Sequence, residues 1–504
     1  MLCFFMSLKT NSISSYGRMK RLALVSTIVF LITAVAYGDA VISEIENQKK
    51  IPAGDIIGAI KNNNSVEYDS VAIIGDLDLF QLGTSDADVF TSDSTHDIIY
   101  VNSPIKITNS EIRGPFRAEN INFNESLDFS GTKFLDDANF TLAKFDGDAN
   151  FHAAQFLKGF EFGLVEFNKN SQFEDAKFIC NANFMMAKFS CDANFHNATF
   201  DKDARFYLSN FYNNSIFSDT LFFGDTNFDE VSFNGDAYFL GSTFNGKANF
   251  RNSIFVEKAI FSNVYFNTDV IFEGSRFLGM SDFSEDRFNG IADFSNTQFV
   301  ANSYFRGDRF NEDVIFWNAS FEENLFMNGT KFDRIIVQWS DIEDNLCFAP
   351  SIYLVLIKNF KDFGQYEDSA NCYYQYRRFE QKRKQFGWSK LKDVLSWIFW
   401  GYGVRPTRTV FTGTLLVFFF GCVFWLGDGV QKPTYPYKTV YDPKYDKWKK
   451  RLKDARDAFY LSLLVFTFQA RGDLRPRRSY RYVAVLEGIL GILVFAMLIA
   501  TLNM

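Results

Sequence analysis

Few side chains in this 504-residue sequence are spaced for catalysis. The three histidines, His96, His152 and His196, are too scattered to build a metal centre or an acid–base pair, and no nucleophile–base arrangement or glycine-rich phosphate loop accompanies them. No enzyme activity, metal or cofactor is expected. The six cysteines form no disulfide framework. Cys180 and Cys191 each follow a phenylalanine by two residues, and would stack within disulfide reach only if one coil of the chain closed between them. A coil twice as long sets them on different faces, and that is the expected arrangement. The residues with most chemical potential lie near the C-terminus. Glu487 is a lone carboxylate in the apolar run 482–502, where a charge is costly without a partner. It sits about one turn inside that run, so a place at the interface or a pairing with Arg481 explains it as readily as a functional role. Upstream, 458–467 is apolar for about ten residues, too short to cross a bilayer as a helix. It suits a re-entrant element whose irregular backbone is shielded by protein or water.

Two runs are built to span, a shorter one at 410–426 and a longer one at 482–502. With the short segment between them they give the order outer helix, short helix, loop, inner helix. The short helix reads Asp457-Ala458-Phe459-Tyr460-Leu461-Ser462, the loop ends in Gly472-Asp473 before Pro476, and the inner helix opens Val483-Ala484-Val485-Leu486-Glu487. This order resembles the two-helix pore module of potassium channels over residues 408–504, with a pore helix at 457–467 and a filter-like stretch at 467–473. The resemblance lays the family filter T-T-V-G-Y-G-D over Thr467, Phe468, Gln469, Ala470, Arg471, Gly472 and Asp473. It implies a homotetramer and monovalent ions as partners. Two departures bear on selectivity. Ala470 replaces a glycine whose conformation is costly for a residue with a β-carbon, and four Arg471 side chains would repel cations unless they turned toward acids such as Asp473. Potassium selectivity is therefore not expected. The scaffold would conduct non-selectively, pass anions or not conduct. Gly488 and Gly491 let the inner helix bend or pack closely, or serve as ordinary small contacts.

The longer part of the chain keeps a different rhythm. From Phe129 to Phe321, phenylalanine recurs at alternating steps of six and five residues without a miss, so that the true repeat carries Phe129 to Phe140, Phe140 to Phe151 and onward. Alanine often stands two residues earlier, as in Ala138-Asn139-Phe140, Ala149-Asn150-Phe151 and Ala193-Asn194-Phe195. The pattern resembles the pentapeptide-repeat family, A-(D/N)-(L/F)-x-x, in a Phe-rich form with an extra residue in every second repeat, over about 120–335. The resemblance implies a right-handed β-helix with Phe140, Phe145, Phe151, Phe156, Phe195, Phe200, Phe250 and Phe255 among its inward side chains. If four Phe make one coil, the coil takes up two periods, as from Phe129 to Phe151. Residues 39–121, with a short helix at 56–61, read as the N-terminal cap and irregular early coils, and 122–346 as the repeats. The helical region after Cys347 reads as the second cap.

Charge divides the chain. Residues 39–375 carry 25 Lys/Arg against 51 Asp/Glu, and residues 376–481 carry 23 against 8. An acidic rod repels phosphate, so nucleic acid is not expected as its partner. Residues 347–407 form a basic, aromatic helical connector whose last part, 389–400, mixes Trp and Lys in the manner of a bilayer interface, with lipid as partner. At the start, Lys20-Arg21, an apolar run at 22–35 and Ala36-Tyr37-Gly38 have the three regions of a signal peptide within 1–38, with Met19 an alternative start. A cleaved signal places the rod outside a multi-pass plasma-membrane protein, the reading favoured here. The 14 Lys/Arg in 428–481 support it, whereas the nine in 376–408 pull the other way. The expected fold is thus an all-β right-handed β-helix, then an α-helical connector, then a two-span, pore-like α-helical membrane domain. Two functions follow from it, a channel-like protein or a non-conducting, membrane-anchored extracytoplasmic scaffold that binds partners.

Overall fold

The structure, a computed structural model, describes residues 48–83, 98–431, 447–469 and 474–502 and divides into two compact units that meet in sequence at Thr268 and Asp269. The signal-like stretch and the filter-like residues Ala470, Arg471, Gly472 and Asp473 lie outside the described residues.

The first unit opens with strand Lys49–Pro52 and helix α1, Ala53–Lys61, which buries Ala53, Ile56, Ile57 and Ile60. Four-residue strands such as Val66–Asp69 and Val71–Ile74 follow, so the early coils are the irregular ones. Beyond them the chain settles into two-residue strands, four to a coil: Lys133–Phe134, Ala138–Asn139, Lys144–Phe145 and Ala149–Asn150. Each pairs in parallel with its equivalent one coil on, Lys133 with Gln155, Ala138 with Phe160, Lys144 with Glu166 and Ala149 with Ser171. The coil is therefore the longer of the two conceivable ones, and side chains stacked between coils, such as Asn168 on Asp146, stand 22 positions apart. In all, the parallel β-solenoid makes about 12 turns.

The eight phenylalanines named above are at most 1% exposed, as are Ala138, Ala143 and Ala193 two residues before their phenylalanines. Phe195 lies between Phe173 and Phe217, at centroid distances of 4.8 and 4.9 Å with rings 4° from parallel, and meets Phe184 edge-on at 5.4 Å and 89°. Each ring thus gains its burial and its stacking from the coils on either side. In the column two residues before Phe211, Phe222 and Phe255 the inner hydroxyl is satisfied in a fixed way: Ser209, Thr220 and Ser253 donate to the carbonyls of Phe184, Phe195 and Phe228, each 25 residues back, whereas the hydroxyls of Ser171, Ser215 and Thr226 in the other column have no hydrogen-bond partner among the described residues. Twice in each coil the chain turns a corner through a left-handed residue. The amide of Ala143 donates to the Phe140 carbonyl at 2.9 Å, with Leu142 between them at φ 61°. Leu164, Met186 and Asn197 repeat the conformation at 60°, 58° and 53°. This is the third position of a type II-like turn, which suits Asn and strains Leu. Cys180 and Cys191, half a coil apart, are both free thiols, and burial pushes the Cys180 thiol up to about 11.

Within the second unit the strands pair with the same spacing, Val270 with Ala292, Arg276 with Gln298 and Ser281 with Ser303. Here the inner column carries acids. Asp286 and Asp308 are buried at the positions two before Phe288 and Phe310, and the Asp286 amide donates to Asp308 Oδ1 at 3.1 Å. Burial, with Asp282 and Glu285 adding to it, holds the Asp308 carboxyl well above the usual range. The last coil, ending in Lys331–Ile336, is closed by helices α2, Trp339–Ile342, and α3, Pro350–Asp362. Buried Asn359 donates to the Ile335 carbonyl at 2.9 Å and accepts from its amide at 3.1 Å, satisfying groups that an open edge would leave for another strand. The cap therefore starts with Trp339, before Cys347. Helices α4, Tyr366–Arg383, and α5, Trp388–Trp400, form the connector, and α6, Pro406–Leu426, α7, Lys447–Phe466, and α8, Arg481–Leu502, complete the chain. Helices α6 and α8 are long and apolar enough to cross a membrane.

Candidate functional site

Helices α6, α7 and α8 pack around Phe420, Phe424, Ala458, Leu461 and Ala484. Small residues set how near they come. A β-carbon on Gly421 would lie 2.3 Å from the Phe459 ring, and one on Gly491 would lie 2.5 Å from the Phe466 carbonyl oxygen. Gly491 therefore lets the end of α7 rest on α8, whereas Gly488 has room, its nearest neighbour being 3.9 Å away. Helix α7 has 20 residues, longer than the segment expected at 457–467, because its charged first half is helical too. Its second half is the apolar part that reaches between the other two helices.

The described contact of Glu487 is with Ser462, not with Arg481. Glu487 is fully buried, its Oε1 against Ser462 Oγ of α7, while Arg481 is exposed. The reason is helical phase: Ala484, Glu487 and Gly491 share the buried face of α8, which carries the carboxyl group toward α7. Ser462 Oγ also lies 2.9 Å from the carbonyl oxygen of Val417 on α6, so one polar chain touches all three helices. Sequence reasoning missed Ser462 and Val417. The hydroxyl in the apolar run 458–467 was a signal for the first, whereas a backbone carbonyl leaves none.

Of the filter-like residues, Thr467 turns its hydroxyl back to the Leu463 carbonyl at 2.7 Å. Phe468 leaves the helix at φ 61°, and the amide of exposed Gln469 donates to the Leu464 carbonyl at 2.9 Å. The chain returns through Arg475–Pro476, paired antiparallel with Val430–Gln431, and Arg477 meets Asp428 at 2.7 Å. These contacts hold the described residues on either side of 470–473.

Part of the connector's positive charge is used internally. Asp393, 7% exposed, accepts from Arg377 at 3.0 Å and Lys384 at 2.5 Å, and the Arg378 guanidinium sits 4.0 Å over the Trp397 ring. The exposed stripe of α5 is apolar: Leu391, Leu395, Ile398 and Phe399. Phe386 and Trp388, before and at the start of α5, are 98% and 79% exposed.

Residues 206–254 match the family model described as pentapeptide repeats, in 9 copies. Together with the four-stranded coil, the match defines a pentapeptide-repeat domain. No curated protein and no solved structure matches the chain.

Proposed function

We propose that this is a membrane channel-like protein in which a pentapeptide-repeat solenoid is coupled through the basic connector to a pore module made by α6, α7 and α8. The observation that carries the reading is the order and packing of those helices. A helix with an apolar second half lies between two span-length helices, rests its last turn on Gly491, and is left by the chain through left-handed Phe468. That is what a loop at membrane depth requires, since only shielded backbone persists there. Four copies around one axis would complete the pore, with residues 467–473 lining it and monovalent ions as its cargo. With Ala470 and Arg471 in the filter-like stretch, discrimination for potassium is lost. The same Arg471 favours a second reading, a non-conducting membrane-anchored scaffold that presents its rod outside the cell.

Reconstitution of the full chain in vesicles separates the two. Monovalent-ion flux that changes on Arg471→Ala supports the pore, and no flux from either protein leaves the scaffold. Cysteine at exposed Lys247, in a background without native cysteines, reports the rod's side by labelling with a membrane-impermeant thiol reagent on intact cells.

A further inference from the structure

Ser462 has one hydroxyl proton and two oxygen neighbours, the Val417 carbonyl at 2.9 Å and Glu487 Oε1. If Glu487 were ionised, both neighbours would be acceptors only, and one contact would set lone pair against lone pair. A proton on Glu487 removes the conflict. The acid then donates to Ser462 Oγ, and Ser462 donates to the second lone pair of a carbonyl that its own helix already uses once. The other carboxyl oxygen points the same way. Oε2 is buried and has no hydrogen-bond partner among the described residues, a situation far costlier for a carboxylate than for a neutral acid.

Among the described residues, no nearby charge offsets the conflict. The ionisable residues of α6 are Arg408, whose guanidinium donates to the Trp397 carbonyl at 2.9 Å, and Cys422. On α7 the nearest acid is Asp457, which meets Arg456 at 3.4 Å, and Tyr460 is exposed. On α8, Arg481 and Tyr482 are both exposed, at the other end of the first two turns.

We propose that Glu487 is a proton-binding site: the side chain carries its proton at neutral pH and, through Ser462 and Val417, closes a hydrogen-bonded chain that joins α6, α7 and α8. The inference rests on the packing of the three helices and on their place in a membrane, and needs no conduction. Losing the proton would set a bare carboxylate against the same acceptors, so the chain opens when the site is emptied.

The test is infrared spectroscopy of the full-length protein in lipid at pH 7, as the difference between wild type and Glu487→Gln. The expected result is one equivalent of a protonated-carboxyl C=O band in the wild type, lost in the variant. The difference also removes any contribution from Asp308. A carboxylate band in its place overturns the proposal. Should Glu487→Gln fail to fold, Ser462→Ala gives an independent reading, because a carboxyl that loses its acceptor must shift its C=O band, and an unmoved band overturns the assignment. Ion flux enters neither outcome, so this test and the test of the pore can fail separately.

Discussion

Replacing Asp308 by serine should stabilise the solenoid at neutral pH and flatten its pH dependence. Asp308 is fully buried at a position that, Asp286 apart, is filled elsewhere in its column by Ala, Val, Ser or Thr, and its Oδ2 has no hydrogen-bond partner among the described residues. An unfolded aspartate titrates near 3.8, and burial beside Asp282 and Glu285 raises the folded value well above that. Between the two values the folded chain holds a proton that the unfolded chain has lost. Its contribution to stability is fully present below about pH 3.8 and is lost as pH rises through the folded pKa, at up to about 1.4 kcal/mol per pH unit. Serine carries no such term. Its hydroxyl would meet the Phe283 carbonyl, 25 residues back, as Ser253 meets Phe228 and Thr297 meets Phe272. Because coils open locally, the assay is amide exchange across 283–316 in the full-length protein from pH 4 to pH 8, alongside thermal unfolding. Wild type should lose protection steadily through that range relative to Asp308→Ser. Equal slopes, or a serine variant less protected at pH 7, would refute the reasoning.

Two further outcomes follow from the coil itself. Phe195→Ala removes a ring stacked on both sides, and should cost about 3–5 kcal/mol with exchange concentrated in the coils containing Phe173 and Phe217. Leu164→Gly relieves a left-handed leucine whose side chain is 43% exposed, and should raise stability by about 1 kcal/mol in thermal unfolding.

The repeat domain was legible because its core is written in one residue type. A fixed period and an alanine that often stands two before the phenylalanine are sequence facts, and the structure adds that two periods close a coil. The left-handed corners were hidden, since Leu142, Leu164 and Met186 occupy them without any turn signal. Helix α7 was read too short because a run such as Lys450-Arg451-Leu452-Lys453 resembles a charged linker until it is seen to continue into the apolar half. Glu487 was found but its setting was not. A helix apolar on every side gives no phase from which to tell a buried face from one that meets lipid, and the partner stands 25 residues away on another helix. In the connector, counting cations overstated the free charge because one buried acid, Asp393, holds two of them.

The two periods, one that sets the corner and its double that closes the coil, make length in this domain a quantised property. Gaining or losing one whole coil leaves every ladder partner and every stacked ring with an equivalent neighbour. Gaining or losing half a coil preserves each turn and each inward phenylalanine, yet hands the coils that follow half a revolution, so the side that faced one way faces the other. Any other length breaks the column. Duplication can therefore re-aim the surface of such a solenoid without touching its interior, and drift by single residues cannot.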